Sequence, residues 1–284
     1  MNGEAISLGA SSRAVSILLL LISLVTAAAA QDSTIVTDLQ QCNAQGSESP
    51  DQQIAGCAEL IKSATNPKTL AIIYNNRANA YVRSRRYDLA IKDYDEAIKD
   101  DPDYARAFNN RGVAYEKTGD YDRALQDFEA AIKISPDYGH AFANRAETYL
   151  KKGDYDRAAK AFDEAIRLQP NLNLLRNERC WARAVIGDLS AALADCNAVV
   201  QSTPNEAAPF ASRGLVYLKM NRLDSAITDY SAALRISPKL PSALYGRGLA
   251  EVKSGNLAAG NADIAAAKSI DPNIVDEFSR YGVE

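Results

Sequence analysis

The sequence predicts an all-α fold made of repeated helical hairpins, and three observations predict it. The stretch KTGDYDRA at residues 117–124 returns as KKGDYDRA at residues 151–158, an interval of 34 residues. Stepping by 34 from Gly112 brings residues 71–104, 105–138, 139–172, 173–206, 207–240 and 241–274 into one register. Inside each unit, two apolar patterns of helical spacing flank a short polar break. Self-similarity at a fixed period of this size is the signature of a repeat array.

Taken in chain order, the first element reads as an export signal. Arg13 supplies positive charge, and residues 14–26, AVSILLLLISLVT, form an apolar run. That run is long enough for a signal core and short for a membrane span. Ala28 and Ala30 meet the small-residue rule for cleavage, so residues 1–30 are expected to be removed after Ala30. The mature chain is then periplasmic or secreted, with no membrane attachment. The alternative is an uncleaved anchor. Residues 31–70 follow as a degenerate or capping helical unit, in which residues 51–63, DQQIAGCAELIKS, read as a second helix. NPKTL then interrupts the register just before Ala71.

Each repeated place has a physical job. Place 8 holds Ala78, Gly112, Ala146, Cys180, Gly214 and Gly248; place 20 holds Ala90, Ala124, Ala158, Ala192, Ala226 and Gly260. Small residues there let two backbones approach. Large side chains at places 11 and 24, such as Tyr81, Tyr115, Tyr94, Phe128 and Phe162, fill the space beside that contact. Place 32 is proline in all six units, from Pro102 to Pro272. Proline lacks an N–H and clashes with the preceding turn, so it ends the second helix. After Pro272, NIVDEFSRYGV carries Ile274, Phe278 and Tyr281 at helical spacing. A capping helix is expected to start near residue 273 and to cover the last unit, with 275–284 as the C-terminal cap.

These residues resemble the tetratricopeptide repeat family, in the form found in exported bacterial-type proteins. The resemblance spans residues 71–274 in six units. It implies an α-solenoid, a right-handed superhelix of stacked helix-turn-helix units. Its concave face would be lined by first helices, with one continuous core between neighbours.

Cys180 and Cys196 occupy places 8 and 24, which face each other across a hairpin whose turn centres near place 16. Cys42 and Cys57 have nearly the same spacing. An even cysteine count after an export signal favours disulfides Cys42–Cys57 and Cys180–Cys196, although four cysteines permit three connectivities. Metal binding is the competing reading. It is weak, because there is no CxxC and His140 is the only histidine.

Place 7 is arginine in every unit: Arg77, Arg111, Arg145, Arg179, Arg213 and Arg247. Place 23 is Asp93, Asp127, Asp195, Asp229 and Asp263 in five units, but Ala161 in the third. A recurring Arg–Asp ladder is expected, with a row of anion-binding arginines as the alternative. Arg145 either lacks a partner, if pairing stays within a unit, or meets Asp127, if pairing crosses to the preceding unit.

Ligand contacts in the resembling family come from places 2, 5, 6, 9, 12 and 13 of first helices. Here these give a candidate partner-binding face of Asn75, Asn76, Asn79, Arg83, Arg106, Asn109, Asn110, Lys117, His140, Asn144, Lys151, Asn177 and Trp181. Asparagine both donates and accepts, which suits the backbone amides of an extended peptide. A solvated helix face is the alternative for any one of them. NNRANAY and NNRGVAY look like the chaperone-binding subclass, which grips a C-terminal carboxylate; Asn79 and Asn110 match it. Asn75, His140 and Asn144 stand where that subclass carries Lys, Lys and Arg, so that activity is not carried over.

A net charge of −4 gives no strong attraction to nucleic acid. No P-loop, GxGxxG or Ser-His-Asp pattern is present. The expectation is a chain that is not an enzyme, with no cofactor and no metal. It acts as an exported scaffold for a protein or peptide partner. A membrane-anchored structural or assembly factor is the alternative, and the oligomeric state is left open.

Overall fold

The computed structural model describes residues 37–43 and 49–283; the expected signal segment and its cleavage site lie outside them. The described residues form helices and turns without a strand. Helical residues 37–42 (α1) precede α2 (Pro50–Ser63) and α3 (Pro67–Arg83). Then come α4 (Tyr87–Asp100), α5 (Ala105–Lys117), α6 (Tyr121–Ile134), α7 (Gly139–Lys151) and α8 (Tyr155–Leu168). The remainder are α9 (Asn173–Ile186), α10 (Leu189–Ser202), α11 (Ala207–Lys219), α12 (Leu223–Ile236), α13 (Pro241–Lys253), α14 (Leu257–Ile270) and α15 (Ile274–Arg280). The fold class is all-α, a solenoid of helix-turn-helix units. The chain divides into two compact units within α5, one ending at Ala114 and the other starting at Tyr115.

In the first unit, α2 begins with a capping box. Ser49 Oγ accepts from the Gln52 N–H while Gln52 Oε1 accepts from the Ser49 N–H, and Pro50 sits where a helix has no use for its missing donor. Cys42 and Cys57 are disulfide-bonded with Cα atoms 4.6 Å apart, which staples residues 37–43 to α2. The sequence NPKTL, which interrupts the register, is a helix start. Asn66 caps the Thr69 N–H, Pro67 is the first helical residue, and α3 therefore begins ahead of Ala71.

The second unit shows the repeat logic at its fullest. Each first helix packs on its own second helix, and each second helix on the next first helix. Successive first helices α9, α11 and α13 also touch one another. The small residues at places 8 and 20 are buried, as are Phe162 and Tyr230 at place 24. A Cβ built on Gly214 would lie 2.9 Å from the Tyr230 ring, so glycine is what lets that ring lie flat against α11. In the fourth repeat two sulfurs replace this contact. Cys180 and Cys196 are both buried and joined, with Cα atoms 5.5 Å apart.

The motif that recurs as GDYDRA is a complete hairpin turn. Gly119 and Gly153 take positive φ (84° and 75°), closing the first helix. Asp120 and Asp154 then cap the second helix through the N–H groups of Arg123 and Arg157. Those arginines return to the capping aspartates and lay their guanidinium groups over Tyr115 and Tyr149, at 4.3 and 4.9 Å from the ring centroids. Place 15 is left-handed in all six repeats, but it is Arg85 in the first and Asn221 in the fifth. Asparagine tolerates this region, whereas arginine is strained in it. Arg85→Gly is expected to stabilise the chain by up to about 1 kcal/mol, less the extra chain entropy of glycine, as read by thermal melts. A loss of stability would mean that the Arg85 side chain makes a compensating contact.

Each second helix stops two residues before the proline of place 32. The residue in between is pushed toward extended backbone, as at Asp101 (φ −139°), Ser135 (φ −132°) and Asp271 (φ −131°).

The Arg–Asp ladder pairs within a repeat. Arg77 meets both oxygens of Asp93 at 2.7 Å, and Arg179, Arg213 and Arg247 grip Asp195, Asp229 and Asp263 in the same two-pronged way. Four arginines of the row also reach back to place 25 of the preceding repeat. Arg111 meets Asp95, Arg179 meets Asp163, Arg213 meets the Asn197 amide oxygen and Arg247 meets the Ser231 hydroxyl. The ladder therefore ties neighbours together as well as closing each hairpin. Arg145 has neither tie. Ala161 stands opposite it, no ion pair joins it to Glu129 at place 25, and its buried Nε has no hydrogen-bond partner among the described residues.

Candidate functional site

In the first unit, the asparagines of α3 and α5 form one hydrogen-bonded network. Asn110 Nδ2 donates to Asn75 Oδ1 (3.0 Å) and to Asn79 Oδ1 (3.2 Å). The Tyr94 hydroxyl donates to Asn79 Oδ1 at 2.6 Å, and Asn76 Nδ2 donates to Asn43 Oδ1 at 3.1 Å. The amides are thus already oriented, and their free valences are fewer than residue type alone implies. Asn75 is 1% exposed and Asn109 is 5% exposed, so both brace the wall of this face from behind. Arg83 is exposed, with its guanidinium on Gln53 Oε1, and Arg106 is exposed at the start of α5.

In the second unit, the first-helix face changes character along the chain. Its early part is charged. Glu116 is buried and accepts from the Thr148 hydroxyl and the Lys151 ammonium, with Lys117 nearby at 3.6 Å. Glu147 and Glu178 follow on α7 and α9. Burial, then the Glu116 charge, pushes the Glu147 carboxyl above the usual range; burial, then Glu147, does the same for Glu178. A carboxyl raised in the folded state binds protons there that the unfolded chain has released. Stability therefore falls as pH rises from the unfolded value through the folded one, and stays lowered above both. Glu178→Gln is expected to raise the melting temperature at about pH 7 and to change it little near about pH 4. A drop at pH 7 would show that the carboxylate is held by a favourable partner.

His140 is exposed, with its ring 6.0 Å from that of Tyr138, and Asn144 is partly buried. Asn177 is buried, and its Oδ1 finds no donor among the described residues. The later part of the face is aromatic. Trp181 lies edge-on to Tyr155 (5.4 Å between centroids) and to Tyr281 (5.1 Å). Tyr281 follows α15 near the C-terminus, and it reaches beyond the last repeat that this helix was expected to cover. Helix α15 packs on α13 and α14 and then carries Tyr281 back to α9. Lys219 of α11 secures it there by donating to the Tyr281 carbonyl (2.6 Å) and to the Val185 carbonyl (2.9 Å). Burial holds the Lys219 ammonium below its usual pKa and pushes the Tyr281 phenol up to about 12. A cavity of 290 Å³ remains beneath this segment, bounded by Trp181, Leu215, Tyr230, Leu240, Phe278 and Tyr281.

The described residues hold no cluster of metal-ligating side chains, and no described helix is long and apolar enough to cross a membrane.

Models of the tetratricopeptide repeat match residues 75–139, 115–177 and 214–255. Among curated proteins, none matches this sequence. Among solved structures, the chain is similar to YrrB, described as a TPR protein with an unusual peptide-binding site. The identity is 25%, with a TM-score of 0.61, over 67% of this chain and 97% of that one. A tetratricopeptide repeat protein from Parabacteroides merdae ATCC 43184 aligns over 88% of this chain and 98% of its own, at 16% identity and a TM-score of 0.63. PilW, a type IV pilus biogenesis factor, aligns over 73% and 98%, at 18% identity and a TM-score of 0.61. The last two likenesses concern the fold alone.

Proposed function

The chain belongs to the tetratricopeptide repeat family, and from that premise we propose that it is a non-catalytic, exported scaffold that binds a peptide segment or protein partner on its first-helix face. The observation that carries this reading is the state of that face. Asn79 and Asn110 in the first unit, and Trp181 and Lys219 in the second, are held in place by hydrogen bonds or ring contacts. A preformed surface of this kind spares a partner the cost of ordering the scaffold, leaving only its own. YrrB, with its peptide-binding site, supports the peptide reading. The two disulfides support export, since such bonds persist in oxidising compartments.

Site-specific photocrosslinking in intact cells tests the reading. A photoreactive residue at Arg106 or at His140, both exposed on first helices, is expected to capture a protein. One at Lys92 or Lys160 on second helices is expected to capture none. Equal capture from both sets of positions would overturn the assignment of the binding face. Mass spectrometry of the mature N-terminus tests export: Gln31 as the first residue supports release, and Met1 supports the anchored alternative.

A further inference from the structure

The C-terminal segment sits on the surface that a partner would use. Trp181, Lys219 and Tyr245 come from α9, α11 and α13, at places 9, 13 and 5 of successive first helices. Phe278 is 2% exposed, with its ring 4.8 Å from Tyr245; Tyr281 lies one turn further on, against Trp181; and Lys219 takes the Tyr281 carbonyl. Two aromatic side chains three residues apart, one packed on α13 and one on α9, plus a backbone carbonyl held by α11, form an attachment legible as ligand chemistry. The seat is filled imperfectly. The 290 Å³ cavity lies over places 2, 5, 6 and 9 of α11, at Ala208, Ala211, Ser212 and Leu215. Tyr230 forms part of its wall, and the buried Tyr230 hydroxyl has no hydrogen-bond partner among the described residues. This partly open pocket gives a larger occupant room for more apolar contact, and the unsatisfied donor is a cost that an acceptor on it removes.

We propose that α9, α11 and α13 recognise a short amphipathic helix of a partner protein bearing two aromatic side chains one turn apart, and that residues 274–283 hold this seat until such a helix displaces them. The proposal rests on the binding-face reading above and specifies the partner for one stretch of it. The resident segment is a helix of 7 residues joined directly to α14, with Ile274, Phe278 and Val283 buried, so it gains from high effective concentration as well as from fit. A helix that matches its two rings, and adds bulk and an acceptor toward Tyr230, overcomes that advantage.

The test uses the full chain and a labelled synthetic peptide with the sequence of residues 273–283, NIVDEFSRYGV. Binding is read by anisotropy and by the emission of Trp181, the only tryptophan. Phe278→Ala/Tyr281→Ala, which loosens the resident segment, is expected to bind the peptide at least tenfold more tightly than the natural chain. A peptide with both aromatics changed to alanine should bind neither. Adding Lys219→Ala to the double variant should weaken binding severalfold. Tyr281→Ala alone leaves the buried Phe278 in place and keeps the test valid if the double variant unfolds; it should also bind more tightly than the natural chain. Equal binding by natural and loosened chains, or no binding by either, overturns the proposal. Dimerisation of the natural chain by exchange of this segment would make a second copy the occupant and overturn it too. Crosslinks persisting at Arg106 and His140 after such a failure would leave the binding face standing without this seat.

Discussion

Gly248→Leu is expected to destabilise the last hairpin by about 3 kcal/mol or more. Helices α13 and α14 meet through backbone. A Cβ on Gly248 would lie 2.8 Å from the Gly260 carbonyl oxygen and 2.7 Å from Ile264 Cγ1, while one on Gly260 would lie 2.6 Å from the Gly248 carbonyl oxygen. A side-chain tip could rotate away from such a clash, but a helix backbone cannot. The two helices must separate, which opens the packing around buried Ala250 and Ala267. In a linear array the damage falls first on the repeat that carries it and on its neighbour. Hydrogen exchange should therefore show lost protection in α13 and α14 ahead of α9 and α10, with a lowered melting temperature. A neutral result would mean that these helices do not cross at Gly248 and Gly260.

The second large effect is on the Cys180–Cys196 bridge. It closes a loop with a sequence separation of 16 and ties α9 to α10 inside the core. A loop of that size contributes about 3 kcal/mol. The Cys180→Ser/Cys196→Ser variant is expected to lose that much and to melt several degrees lower, while circular dichroism at room temperature still shows the full helix content. The loss should exceed that of an ordinary repeat contact, because the bridge stands where other repeats press a ring against a small residue, as Tyr230 does against Gly214. An unchanged melting temperature in both the variant and the reduced natural chain would contradict a structural role for the bridge.

The repeat was legible because one physical problem recurs six times: small residues where backbones meet, in four repeats a ring beside them, a left-handed residue at the turn and a proline past the end. The place of each residue in the unit followed, but its exposure did not. Asn75, Asn109 and Asn177 hold places expected to face a ligand, yet here they are buried. The ladder was half legible. The carboxylates of place 23 share one residue type, whereas place 25 answers arginine with Asp95, Asp163, Asn197 or Ser231, and no single letter marks it. The last helix was legible, but the path of the residues after it was not. Tyr281 meets Trp181 and Lys219, which lie at distances along the chain unrelated to the period of 34. Ile274, Phe278 and Tyr281, apolar at helical spacing, signalled that the segment would be buried against its neighbours, but not that Tyr281 would reach α9.

Arg145 has a mechanical consequence. Every other arginine of its row whose contacts are described clamps its own hairpin or the one before it, while at Arg145 the guanidinium rests against the Phe142 ring, 5.2 Å from its centroid, and clamps nothing. A row of rivets with one missing parts at the gap. Under pulling force, protease or heat, the third hairpin and the joint before it are expected to part first; Ala161→Asp would restore the tie within the hairpin, and Glu129→Asp the tie across the joint.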